Sequence, residues 1–250
     1  MKSIELFAGI GGISLAAEWA GIETVAFCEQ DPFCQKVLNE HWPNVPIFDD
    51  VKTINRQALE ERGVITKGGT IDIISGGYPC QGESAIGKRE GDKDERWLWP
   101  EMFRLTKELR PTWVVGENVA GHITMGLDTV LADLESENYQ ARPFVLPAIS
   151  VRAPHQRYRV FVVAHSGRKS ESQTDQEVSA FGSKRNAWDD SSRGIRKIVP
   201  GEYWETHKPG VPGMDDGVPD RMDRSKALGN AVVPQQIYPI FKAIMEIENR

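Results

Sequence analysis

One of the three cysteines, Cys80, follows an apolar run and a short glycine turn, in the order Ile71-Asp72-Ile73-Ile74, Ser75-Gly76-Gly77 and Tyr78-Pro79-Cys80-Gln81. The apolar run predicts a buried strand, and the turn presents the thiol at the carboxyl end of that strand. In an open α/β sheet, ligands bind at this edge. Pro79 stiffens the backbone and the glycines permit close approach, so the arrangement suits a cysteine nucleophile. This motif alone also fits a buried, unreactive thiol.

A second segment that could bind a ligand is the turn Phe7-Ala8-Gly9-Ile10-Gly11-Gly12, which follows the strand-like residues Ser3–Leu6. Glycines at a strand-to-helix turn let the backbone approach a ligand at an electropositive helix terminus. Glu29 ends the next strand about 20 residues later, where an acid binds a ribose hydroxyl. Asp49-Asp50 follow the segment Val45–Phe48 at the same edge, where one carboxylate could bind an adenine amino group. Together they predict a nucleoside-containing cofactor, although helix capping is the alternative for each acid.

Glu117, in the segment Gly116-Glu117-Asn118-Val119, follows the strand-like residues Trp113–Gly116. The apolar run places its carboxyl at the same edge as Cys80. Partial desolvation there raises a carboxyl pKa, which suits proton donation to a ring nitrogen. A plain cap is the alternative.

Two later segments add polar groups. Strand alternation puts Arg157 and Arg159 on one side of the entry to a strand, where guanidinium groups can contact a base carbonyl oxygen or a phosphate. From Ser150 to Arg168 there are four arginines and no acid, which fits a basic groove or a solvated face. Gly229-Asn230, before a final helix, predict a turn against the cofactor end of the sheet.

Composition restricts the class of protein. The chain has 250 residues, 40% apolar and 26% charged, which is ordinary for a globular protein of one or two domains. The net charge of −6 argues mildly against non-specific coating of nucleic acid. No stretch approaches the roughly 20 apolar residues that span a bilayer. Three cysteines without CxxC spacing argue against a disulfide framework or a zinc site, so we expect a cytoplasmic protein with no metal.

The positions of these residues depend on alternating strands and helices. The predicted strands are Ser3–Leu6, Thr24–Cys28, Ile71–Ser75, Trp113–Gly116, Arg142–Leu146 and Val160–Ala164. The predicted helices are Gly12–Ala20, Pro32–His41, Trp99–Leu109, Thr129–Glu137 and Gln235–Asn249, with Pro239 in the first turn of the last one. This alternation predicts a doubly wound α/β fold with a mostly parallel sheet and helices on both faces. The polar segment 82–97 is typical of a lid.

In this order, the five motifs resemble those of the DNA cytosine-5 methyltransferase family. The resemblance covers residues 1–165 and about 220–250. It implies a Rossmann-like class I methyltransferase fold in which these parts form an S-adenosylmethionine-dependent catalytic domain. It also implies that residues 166–219 form a short, irregular target-recognition region. By this resemblance the cofactor-binding residues are Phe7, Gly9, Gly11, Gly12, Glu29, Asp50, Pro79 and Asn230.

The same resemblance implies a reaction on a cytosine flipped out of duplex DNA. Cys80 would add to C6 as the nucleophile, Glu117 would hold or protonate N3, and Arg159, paired with Arg157, would bind O2. The remaining substrate-binding candidates are Gln81, Ser84 and Asn118. We expect a monomer, and the resemblance leaves open a cognate restriction endonuclease as a partner.

Two residues depart from the family pattern. Glu83 stands where the family has an aromatic residue, and His155 stands where it has glutamine. Three alternatives remain: an RNA (tRNA) cytosine-5 methyltransferase of the same fold, a catalytically silent DNA-binding homologue, and a NAD oxidoreductase. The last would need a GxGxxG loop, which the glycine turn lacks.

Overall fold

The computed structural model describes residues 1–79, 97–153, 156–167 and 227–249. Within them, the strands are β1 (Lys2–Leu6), β2 (Glu23–Cys28), β3 (Ile47–Phe48), β4 (Ile73–Gly76), β5 (Trp113–Val119), β6 (Gln140–Pro147) and β7 (Tyr158–His165). The α-helices are α1 (Gly12–Trp19), α2 (Pro32–His41), α3 (Arg56–Glu61), α4 (Trp99–Leu109), α5 (Leu127–Ser136) and α6 (Pro234–Glu248). Short 3₁₀ helices cover Val51–Thr53, Ala120–Thr124 and Ala148–Val151.

The strands form one sheet in the order β3-β2-β1-β4-β5-β7-β6. Strands β1 to β5 run parallel to one another, whereas β7 is antiparallel to both of its neighbours, β5 and β6. The predicted doubly wound, mostly parallel sheet is therefore confirmed. Strand β7 runs in the opposite direction to the parallel strands, so its first residues lie at the edge of the sheet where the parallel strands end.

Apolar side chains alternate between the two faces of the sheet. On one face Ile73, Val115 and Phe161 pack with α1 and α6; on the other, Ile74 and Val114 pack with α4 and α5. This period of two explains why the strands are nearly continuous apolar runs, since both faces are covered. Among the described residues, no helix is long and apolar enough to cross a membrane.

The predicted elements agree with the observed ones to within a few residues, and α2 and α4 agree at both ends. In α2, Asp31 caps the first turn by accepting from the Phe33 and Cys34 amides, and Pro32 occupies the first helical position. The helix α3 was not predicted. The proposed position of Pro239 was wrong: because α6 begins at Pro234, Pro239 lies in the helix interior. The proposed domain division stays a prediction, since most of region 166–219 lies outside the described residues.

Candidate active site

The candidate site follows from the register of the parallel strands. Leu6 pairs with Cys28 on one side and with Gly76 on the other, and Gly76 pairs with Gly116. The residues that follow these partners in the sequence therefore lie at one level, where β1, β2 and β4 end and β5 continues beside β7 to Val119. Phe7, Glu29, Gly77 and Glu117 are those residues, which is why motifs far apart in the chain meet at one edge.

The central feature of this edge is an ion pair between Glu117 and Arg159. The Arg159 Nε lies 2.7 Å from Glu117 Oε1, and the two side chains are 14% and 10% exposed. Since β7 is antiparallel to β5, Arg159 pairs with Val119, which places it diagonally opposite Glu117 on the same face. The second carboxyl oxygen faces the turn before Pro79, because a Cβ built on Gly77 would lie 3.0 Å from Glu117 Oε2.

The environment of Glu117 changes its proton affinity. Burial raises the pKa of the Glu117 carboxyl to about 7, and the charges of Arg159 and Arg157 limit that rise. This agrees with the rise expected for an acid that follows a buried strand. A carboxyl with this pKa can both hold and release a proton near neutral pH, which a general acid requires.

Arg157 has a different set of contacts. Its Nη2 donates to the carbonyl oxygens of Gly229, at 2.9 Å, and Ala231, at 2.6 Å. The charges of both arginines act on the Glu117 carboxyl, but Arg157 lies just before β7 and is also bound to the chain before α6. The predicted contact of Arg157 with substrate stays a prediction.

The turn that leads to Cys80 is held by side chains from β5 and the 3₁₀ helix after it. Asn118 Nδ2 donates to the Tyr78 carbonyl at 3.1 Å, and the Tyr78 hydroxyl lies 2.9 Å from His122 Nε2. The ring of Tyr78 packs edge-on against Trp97, and the Leu98 amide donates to the Pro79 carbonyl at 3.4 Å. Asn118 therefore supports the turn, and its predicted contact with substrate remains untested.

The cofactor end of the site is built around Glu29. Its carboxyl accepts from the Gly9 amide at 2.6 Å and the Asp31 amide at 2.7 Å, which joins the glycine turn to α2. Gly9 has a φ of +54°, and a Cβ built on it would meet no atom within 4 Å. The backbone at Gly9 is therefore open beside a carboxylate, as a ligand with hydroxyl groups requires.

The other predicted cofactor residues have varied surroundings. A Cβ on Gly11 would lie 2.5 Å from Trp42, and one on Gly12 would lie 2.5 Å from the Val232 carbonyl oxygen, so close packing explains both glycines. Asp50 accepts from the Lys52 amide at 2.9 Å and caps the 3₁₀ helix that follows. Phe7 adopts a φ of +56°, and Asn230 is exposed. Their contacts with a cofactor stay predictions.

Several predicted residues fall on parts of the chain that are not described. Cys80, Gln81, Ser84 and the departure at Glu83 lie within residues 80–96, and His155 lies within residues 154–155. Of the predicted catalytic set, the structure brings together Glu117, Arg157 and Arg159, and the place of Cys80 relative to them stays a prediction.

Three buried polar residues near the site were missed by sequence analysis: Glu5, His122 and Gln236. Glu5 offered a signal, because it is a charged residue inside the apolar strand run Ser3–Leu6. The other two offered none, since a histidine in a turn and a glutamine in a helix are ordinary surface residues.

Comparison with known proteins agrees with this geometry. The solved structure of the S. pombe Dnmt2 methyltransferase superposes with a TM-score of 0.67 over 100% of both chains, at 14% identity, and so shares the fold. The fold is that of the α/β Rossmann-like methyltransferases.

The family is given by the sequence comparisons. A protein-family sequence model, described as C-5 cytosine-specific DNA methylase, matches residues 1–208. The Type II methyltransferase M.AquIA of Picosynechococcus is 33% identical over 66% of this chain and 71% of the relative. M.AgeI of Thalassovita gelatinovora is 32% identical over 65% of this chain, but the match spans 39% of that relative's length. The chain belongs to the C-5 cytosine-specific DNA methylase family, which confirms the resemblance and the enzyme class it implies.

Proposed function

We propose that this protein transfers a methyl group from S-adenosylmethionine to C5 of a cytosine that is flipped out of duplex DNA. The observation that carries this proposal is the buried Glu117–Arg159 pair beside the turn that ends in Pro79. An acid and a guanidinium held together can address N3 and O2, which are neighbouring atoms on one edge of cytosine. Membership in the family, with Type II methyltransferases as relatives, favours DNA.

Each of the proposed catalytic residues has a separate role toward the cytosine ring. Cytosine C5 is a poor nucleophile, and addition of the Cys80 thiolate to C6 makes it an enamine carbon. Protonation of N3 by Glu117 removes charge from the ring and favours this addition, while Arg159 binds O2. Once C5 has gained the methyl group, loss of the C5 proton to a base expels the Cys80 thiolate, and return of the N3 proton to Glu117 restores the neutral ring.

The residues around Gly9 fit S-adenosylmethionine. An acid that follows β2 and open backbone at a strand-to-helix turn suit a ribose and the chain attached to it. When bound, this cofactor supplies an electrophilic methyl group on a sulfonium. Glu29 would hold the ribose hydroxyls, and Asp50 would contact the adenine.

The deciding experiment is covalent trapping. The protein is incubated with S-adenosylmethionine and duplex DNA of mixed sequence that carries 5-fluorocytosine. Since fluorine cannot leave as a proton does, we expect a denaturation-resistant adduct that requires the cofactor, and sequencing of the trapped DNA would give the recognised site. An adduct on fluorinated RNA but not on DNA would establish the RNA alternative. No adduct on either, with cofactor binding intact, would contradict the proposal and favour the silent homologue.

Cys80→Ser tests the nucleophile. We expect this change to abolish both the adduct and methyl transfer, because a hydroxyl at this position is far less ionised than a thiol. Affinity for S-adenosylmethionine, measured by calorimetry, should be largely retained, since Cys80 itself is not among the residues assigned to the cofactor. Cys34→Ser is the matched control, because Cys34 is a buried thiol on α2. Loss of cofactor binding in Cys80→Ser would contradict the assigned role.

We also propose an oligomeric state, a cellular location and partners for this protein. A monomer in the cytoplasm that recognises a specific duplex site, with or without a restriction endonuclease, fits the relatives named Type II methyltransferases. Gel filtration with light scattering would test the monomer.

A further inference from the structure

The chain just before α6 is bound to the start of β7 by one side chain. Arg157 Nη2 donates to the carbonyl oxygens of both Gly229 and Ala231, at 2.9 and 2.6 Å. The backbone of Arg157 has a φ of +31°, which is uncommon for a residue with a Cβ and must be maintained by its surroundings. An arginine in a costly conformation that binds two carbonyl groups has a specific structural task.

A second side chain makes the reciprocal connection. Gln236, in the first turn of α6, is 1% exposed. Its Nε2 donates to the Leu146 carbonyl at 2.9 Å and to the Arg157 carbonyl at 3.1 Å. Arg157 thus binds the chain before α6, and α6 binds the backbone of Arg157. We call Arg157, Gln236 and the carbonyl groups that they bind the clasp.

The segment that the clasp binds is in contact with the cofactor end of the site. The segment 229–232 ends at Val232, whose carbonyl oxygen would lie 2.5 Å from a Cβ on Gly12. Gly12 begins α1 and follows the glycine turn in which Gly9 binds Glu29. A shift of segment 229–232 would therefore displace this turn or open a gap beside it, because the Val232 carbonyl packs against Gly12 in space that a side chain would otherwise fill.

Arg157 also acts on the acid through its charge. The charged groups that favour the carboxylate form of Glu117 are those of Arg159, which is ion-paired with it, and of Arg157. Arg157 is therefore coupled to the acid by charge and to the chain that backs the glycine turn by hydrogen bonds.

We propose that Arg157 and Gln236 are positioning residues, which fix segment 229–232 against Gly12 and join the cofactor end of the site to Glu117. This inference rests on the proposed function for its substrate chemistry. It assigns Arg157 a role between the two halves of the site, and it assigns a role to Gln236, which no motif indicates.

Three variants of the full chain separate the two tasks of Arg157. Arg157→Lys keeps the charge but replaces the planar guanidinium, whose Nη2 reaches both carbonyl groups, by a shorter side chain that ends in an ammonium group. Arg157→Gln loses both the guanidinium and the charge. Gln236→Met keeps the length of the side chain and loses the donor. Arg142→Gln, an exposed arginine on β6, is the matched control.

The first readouts do not depend on catalysis. We expect Arg157→Lys and Gln236→Met to weaken S-adenosylmethionine binding about tenfold, as loss of charge-assisted or buried hydrogen bonds does. We also expect faster amide hydrogen exchange both in residues 229–236 and in residues 11–16, measured without cofactor. Arg142→Gln should change neither. Unchanged exchange in residues 11–16 in both variants would overturn the proposed connection, whether or not the protein methylates DNA.

The pH dependence of methyl transfer gives a readout that general loosening would not alter. If protonated Glu117 acts, the rate falls as pH rises through its pKa. Removing the charge in Arg157→Gln should move this fall to higher pH, because a cation favours the carboxylate. Arg157→Lys and Gln236→Met should leave its position unchanged. An equal shift of the pH at which the rate falls in Gln236→Met would contradict the assignment of the charge effect to Arg157. Absence of methyl transfer in the unaltered chain would refute the proposed function. In that case the hydrogen-exchange result would still decide whether the clasp connects segment 229–232 with Gly12.

Discussion

At the scale of single residues, Glu117 depends most on its environment. From its place after a strand alone, a helix cap is the alternative interpretation of this residue. In the folded chain it is buried, paired with Arg159, and close to Gly77, and its pKa is raised to about 7. Burial acts against the charged form more strongly than the two arginines favour it, so the residue can carry a proton near neutral pH.

Glu117→Gln should reduce the rate constant for methyl transfer by about 100- to 10,000-fold, the usual range for loss of a positioned acid. In the unaltered protein we expect the rate to fall as pH rises through about 7, because the protonated form is the active one. The variant should have lost this fall. Single-turnover rates between pH 5.5 and 9 measure both, and an unchanged fall in the variant would show that another group titrates.

Glu29→Ala should weaken S-adenosylmethionine binding by about 10- to 100-fold, since hydrogen bonds to a charged group are lost. The carboxyl also holds the Gly9 amide, so the glycine turn loses a support as well. Calorimetry on the variant gives the dissociation constant. Glu23→Ala is the control, because Glu23 is exposed at the opposite end of the same strand. Unaltered affinity in Glu29→Ala would count against the cofactor assignment.

At the scale of elements, the position of the helix α1 depends on the absence of a side chain at its first residue, Gly12. Gly12 has no side chain, so the Val232 carbonyl approaches to where a Cβ would be only 2.5 Å away. A glycine-rich turn in a sequence suggests a ligand, but at Gly11 and Gly12 the neighbours are Trp42 and Val232 of this same chain. The spacing of glycines in the sequence could not distinguish ligand binding from close packing within the chain as the reason for a glycine.

Gly12→Ala should destabilise the fold by about 1–3 kcal/mol, because overpacking against a backbone atom forces the chain before α6 to move. Urea unfolding measures the loss. Gly121→Ala is the control, since a Cβ there would meet nothing within 4 Å. Equal stability of the two variants would indicate that α6 is not held tightly against α1.

At the scale of the whole molecule, a carboxyl in the core links stability to pH. Glu5 is buried on β1, and its Oε2 accepts from the Ser14 amide at 2.9 Å and from the Ser14 hydroxyl. It supports the first turn of α1, where Gly11 has no capping side chain. Burial raises the pKa of Glu5 to about 8, and the hydrogen bonds from Ser14 offset only part of that rise.

The sign of the pH effect follows from this rise. In the unfolded chain Glu5 ionises near its ordinary pKa of 4.5, so above that pH the native state binds more protons than the unfolded state. The stabilisation is complete below pH 4.5 and is lost as pH rises to about 8, by up to about 1.4 kcal/mol per pH unit. Glu5→Gln should flatten this slope in urea unfolding between pH 5 and 8, whereas Glu18→Gln, on an exposed position, should not. Parallel curves for Glu5→Gln and the unaltered chain would contradict the prediction.

The sequence by itself determined most of the elements and the strand that each motif follows or ends. Apolar runs such as Ile71–Ser75 and helix signals such as Asp31-Pro32 are local, and local patterns suffice for strands, helices and their ends. Parallel strands then bring Phe7, Glu29 and Glu117 to one edge whatever the details of packing.

Only the tertiary structure decided what these residues contact. The antiparallel β7 places Arg159 on Glu117, and Arg157 reaches carbonyl groups more than 70 positions away, at Gly229 and Ala231. Burial of Glu5 and the interior position of Pro239 were likewise set by packing. Such contacts join segments that are distant in the chain, and their geometry depends on strand register and close packing of the whole molecule, which no local pattern of residue types contains.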